Sequence, residues 1–89
     1  MAKKRRKLNK DFERKIYSSK KNVELVLAKI YDIDDENIQK DYMNAFNRVV
    51  NLYDELRASY EEQGFNDNSE QLLTNYKNAF NLFESEFEI

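Results

Sequence analysis

Eighty-nine residues contain no proline and one glycine, Gly64. Almost nothing in such a chain compels a helix to stop, so the apolar residues decide where the helices lie. Placed 100° apart, Leu8, Phe12, Ile16, Val23, Val26, Leu27 and Ile30 share an arc of about 100°, which predicts a helix over about residues 8–31. Ile38, Tyr42, Ala45, Phe46, Val49, Leu52, Tyr53, Leu56 and Tyr60 form a second stripe. Leu72, Leu73, Tyr76, Ala79, Phe80, Phe83 and Phe87 form a third. No useful stretch alternates with period two, so strands are not expected.

The breaks fit the same scheme. Asp34 can cap the second helix, with Ile33 and Ile38 as a hydrophobic staple. Gly64 stands where a left-handed residue ends a helix, and Phe65 could then fold back on Tyr60. Asp67 with Glu70 resembles a capping box for the third helix. Short connections near 32–34 and 64–67 make neighbouring helices antiparallel. The expected fold is all-α: a small antiparallel three-helix bundle over residues 8–89, with helices at about 8–31, 35–63 and 68–87. A basic, flexible tail over residues 1–7 precedes it.

Asp41-Tyr-Met-Asn-Ala-Phe-Asn47 recurs as Asn75-Tyr-Lys-Asn-Ala-Phe-Asn81, 34 residues on. The offset equals the tetratricopeptide period, but about ten extra residues separate Gly64 from Asn75 and no second full repeat exists. Two amphipathic helices with the same core residues explain the recurrence, and no family follows from it.

Charge is divided along the chain. Residues 1–22 hold ten Lys and Arg against Asp11 and Glu13, a local net of +8; residues 23–89 hold five basic and fifteen acidic residues, a net of −10. The tail residues Lys3, Lys4, Arg5, Arg6 and Lys7 form a dense run. Lys10, Arg14 and Lys21 follow within about 40° on the first helix, opposite its apolar stripe, with Tyr17 beside them. Together these nine are the candidate nucleic-acid contacts: a strip able to neutralise phosphates without reading bases.

The remaining constellations are weaker. Asp32, Asp34, Asp35 and Glu36 space like a calcium loop, but no glycine takes the sixth position and Met43 stands where the twelfth-position glutamate belongs. Charge at a helix N-terminus explains them better. With neither His nor Cys, the commonest general base and the thiolate ligands are gone, and no motif has catalytic spacing. No enzyme, cofactor or metal is expected.

Asp54, Glu55, Glu61, Glu62, Asp67 and Glu70, together with Glu84, Glu86 and Glu88, are read as making one end of the bundle acidic. The second helix is longer than the third, so one end of it is expected to lack a partner. Tyr53, Leu56 and Tyr60, with Asp54, Glu55, Glu61 and Glu62, are therefore the candidate protein contacts. No apolar run approaches the roughly 18–20 residues that span a bilayer, and the basic start lacks the apolar core of a signal peptide. A cytoplasmic protein is expected.

Two functions suit these features. One is a non-enzymatic protein-binding module, an inhibitor or immunity-type factor of phage or plasmid origin. It would engage a larger partner, for example one that handles nucleic acid, through its acidic surface. The other is a nucleic-acid accessory protein that uses the N-terminal strip and leaves the acidic bundle for dimerisation or recruitment. A homodimer through the second helix is compatible with either.

Overall fold

Asn9 opens the first helix. In the computed structural model, which describes residues 7–88, its side chain accepts the Phe12 N–H at 3.0 Å, and α1 runs Lys10–Tyr31. The start is two residues later than expected, because a capping residue must stay extended to accept that bond. Leu8 is consequently left 61% exposed, outside the apolar stripe. Helix α2 spans Glu36–Gln63 and α3 spans Asp67–Glu86.

Both other caps shift by one residue from the sequence expectation. Asp35, not Asp34, accepts the N–H groups of Asn37 and Ile38. Asn66 caps α3: its side chain accepts the Ser69 N–H at 2.8 Å, while Ser69 Oγ accepts the Asn66 N–H at 2.9 Å. This reciprocal pair replaces the box expected from Asp67 and Glu70. Ser69 is fully buried yet has its hydrogen bonds made locally, which lets a hydroxyl sit in the interior.

Gly64 has φ 76° and ψ −159°. The positive φ agrees with its expected role, but the ψ is extended, so the backbone does not make a left-handed turn. That combination is almost confined to glycine. Past Gly64, Phe65 turns toward the start of α1. Its N–H donates to the Lys7 carbonyl at 2.6 Å, and its ring meets Phe12 edge-on at 5.1 Å. Phe12 also lies 5.5 Å from Tyr60. Lys7, the last residue of the expected tail, is thus paired to the α2–α3 connection; residues 1–6 lie outside the described residues.

The three stripes close on one another as an all-α bundle. Phe12 beside Tyr60, with Gln39 Nε2 donating to the Ile30 carbonyl at 3.2 Å, makes α1 and α2 antiparallel. Tyr42 against Phe87 and Tyr53 against Tyr76 make α2 and α3 antiparallel. Ile30, Phe46, Val49 and Leu56 are sealed at the centre. A single buried Leu or Phe contributes about 1.5–3 kcal/mol, so these contacts dominate stability.

The recurring heptapeptide acquires a structural meaning. Phe46 and Phe80, equivalent in the two copies, meet at 6.1 Å. The Tyr53–Tyr76 pair maps, under the 34-residue offset, onto Phe87–Tyr42, which also touches. The copies are therefore related by a local quasi-two-fold axis through the Phe46–Phe80 contact. Equivalent helices in stacked repeats run in the same direction; these run in opposite directions, so the offset is not a solenoid period.

Candidate functional site

The C-terminal half of α2 carries the first surface. Asp54, Glu55, Glu61 and Glu62 are all exposed, and with the small exposed Ala58 they share one face of the helix. Arg57 reaches Glu61 at 3.2 Å, and this hydrogen bond raises its pKa above the ordinary value. The apolar and aromatic residues expected to accompany the acids do not. Tyr53, Leu56 and Tyr60 are 5%, 0% and 8% exposed and belong to the core.

The physical reason is register. Phe12 stands level with Tyr60 and Tyr76 level with Tyr53, so both neighbouring helices cover this end of α2. The less covered end is its first turn, where Ile38 stays 47% exposed. Burial raises the Tyr53 hydroxyl above its ordinary pKa, with Arg57 opposing the shift.

The acidic residues do not collect at one end. Because α3 is antiparallel to α2, Asp67 and Glu70 open α3 beside the end of α2, whereas Glu84 and Glu86 lie at the opposite end. There Tyr42 Oη donates to the Glu88 carbonyl at 3.1 Å. Glu84–Glu88 thus neighbour the α1–α2 connection and its acids, not the Asp54–Glu62 stripe. Among the described residues no three acids converge as a metal site. Asp35 of the calcium-like stretch is engaged as the α2 cap.

The second surface is the outer face of α1. Lys10, Arg14, Tyr17 and Lys21 are exposed together, and Lys21 Nζ lies over the Tyr17 ring at 5.4 Å. Arg14 also pairs with Asp11 at 3.5 Å. Lys7 is exposed but turned to the other connection, with Nζ 6.0 Å from the Phe65 ring centre. Lys3, Lys4, Arg5 and Arg6 lie outside the described residues.

The third surface was not anticipated. Helices α1 and α3 run parallel and both lean on α2, leaving between them an open groove of about 610 Å³. Its base is closed where Tyr76 Oη donates to the Ser19 carbonyl at 3.2 Å. Ser19 is buried because its own hydroxyl returns to the Lys15 carbonyl. Burial raises the Tyr76 pKa above the ordinary value. The signal in the sequence was a serine at the centre of the α1 stripe, where an aliphatic residue would push α3 away. Lys15, Lys29 and Lys77 on the groove rim were missed because they come from two helices whose adjacency a single-helix projection does not contain.

No family model matches this chain, and neither a curated protein nor a solved structure matches it significantly. No helix among the described residues is long and apolar enough to cross a membrane.

Proposed function

We propose that the chain is a non-enzymatic helical protein-binding module acting on a larger partner through the carboxylate stripe of α2. Inhibitors and immunity-type factors of phages and plasmids act in this way in the cytoplasm. The supporting observation is that Asp54, Glu55, Glu61 and Glu62 stay in water on one helix while the residues directly behind them are sealed in the core. The two carboxylate pairs are seven residues apart, about 10 Å along the axis. That is about three phosphate steps along one strand of a duplex. Held this stiffly, they present negative charge to a basic groove at little ordering cost. A dimer through this face would set the stripe against itself, so a different protein is the better occupant.

An affinity pulldown from the native host, repeated after nuclease treatment, tests the reading. The expected result is a protein partner that survives the nuclease and is lost when the four acids are changed to Lys. Retention of the partner by that variant refutes it. A second reading, nucleic-acid binding by α1, is favoured by the joint exposure of Lys10, Arg14, Tyr17 and Lys21. It requires salt-sensitive DNA or RNA binding that weakens when residues 1–10 are removed.

A further inference from the structure

We propose that the α1–α3 groove is a second docking surface and that its occupant is an acidic amphipathic helix of a partner protein. The groove is the unfilled side of the bundle. A rod laid there would touch α1 and α3 at once and complete a four-helix arrangement. Val26, Tyr76 and Phe80 supply an apolar floor, and Leu25 stands at the lip, 60% exposed. Exposed leucine beside a concave apolar strip is the pattern of a helix-receiving groove.

Charge selects the helix. Arg14, Lys15, Lys29 and Lys77 line the rim against the single carboxylate of Glu84, on a chain whose formal net charge is −2. Among the described residues Lys15, Lys29 and Lys77 have no ion-pair partner. Arg14 and Lys29 are about 22 Å apart along α1, the length of a helix of about 15 residues. A nucleic-acid duplex is too wide to enter between adjacent helices, and phosphates would leave Leu25 and Phe80 without apolar contact. An acidic helix with aliphatic residues every three or four positions satisfies both the rim and the floor. This surface lies on α1 and α3, so it stands or falls separately from the α2 stripe.

The test is a display selection of random 16-residue peptides against the full chain, followed by anisotropy titration of the enriched peptides. Selected sequences are expected to carry Asp and Glu around an i, i+3, i+7 aliphatic stripe and to shift the amide resonances of Leu25, Lys29 and Phe80. Leu25→Asp and the double variant K29E/K77E should each weaken binding about tenfold or more, with helical circular dichroism unchanged. The four-lysine α2 variant should bind the peptides as tightly as the parent. The inference is overturned if nothing is enriched, or if the enriched peptides are neutral or basic. It is equally overturned if both groove variants bind undiminished, or if a 20-nucleotide single strand displaces the peptide.

Discussion

The Tyr60 hydroxyl donates to Glu13 Oε2 at 2.5 Å and ties the last turn of α2 to the first turn of α1. The same oxygen accepts the Asn9 N–H at 3.0 Å, so one side chain holds both the cap of α1 and a residue of its first turn. Tyr60→Phe keeps the ring against Phe12 and removes these bonds. The expected loss is about 1–2 kcal/mol, or a fall in Tm of about 4–8 °C for each kcal/mol in a domain of this size. Amide exchange at Asn9 should accelerate more than at Ile30. An unchanged Tm with unchanged exchange contradicts the assignment.

Phe46 sits on the quasi-two-fold axis, with Phe80 and Phe83 against it and 0% of its surface exposed. Phe46→Ala should cost about 3–5 kcal/mol, a large part of the stability of a small domain. Denaturant titration should show a midpoint near zero or a chain unfolded in buffer. Leu82→Ala, at an exposed neighbouring site, should change the midpoint little.

The extended backbone of Gly64 separates it from the left-handed turn that its position suggests. Asparagine tolerates the left-handed region but not this one. Gly64→Ala and Gly64→Asn should therefore both destabilise by about 1–3 kcal/mol, measured by urea unfolding. Rescue by Asn alone would mean that the turn is left-handed after all.

Tyr53 and Tyr76 have hydroxyls raised above 10.0, chiefly by burial. A folded-state pKa above the unfolded value means that the neutral phenol favours the folded state. That stability is fully present below pH 10 and is lost as pH climbs through the raised folded values. Thermal melts should hold from pH 8 to 9.5 and fall steeply above pH 10. Absorbance at 295 nm should show part of the tyrosinate signal appearing only with unfolding. The double variant Y53F/Y76F should flatten that alkaline decline.

Much of the fold could be read in advance because a helix reports its buried face locally. Phe12, Phe46, Val49, Leu73 and Phe83 were identifiable as core from 100° spacing alone, and all are buried. The N-caps of α2 and α3 were legible to within one residue, since Asp34 and Asp35, or Asn66 and Asp67, are chemically able to do the same work. Whichever takes the extended backbone wins, and that depends on how the connection is pulled taut. Tyr53 and Tyr60 were misplaced for a related reason: helix lengths do not say how far one helix slides along another.

Three helices, their approximate limits, their buried faces and the uneven charge along the chain follow from residue order alone, because each depends on neighbours within a few positions. Tertiary packing decided the rest. It set the register that hides Tyr53, Leu56 and Tyr60, and the antiparallel course of α3 that carries Glu84–Glu88 away from the α2 acids. It also decided the meeting of Lys15, Lys29 and Lys77 around one groove. These last properties join residues dozens of positions apart, and only the mutual fit of whole side-chain surfaces determines which of them become neighbours.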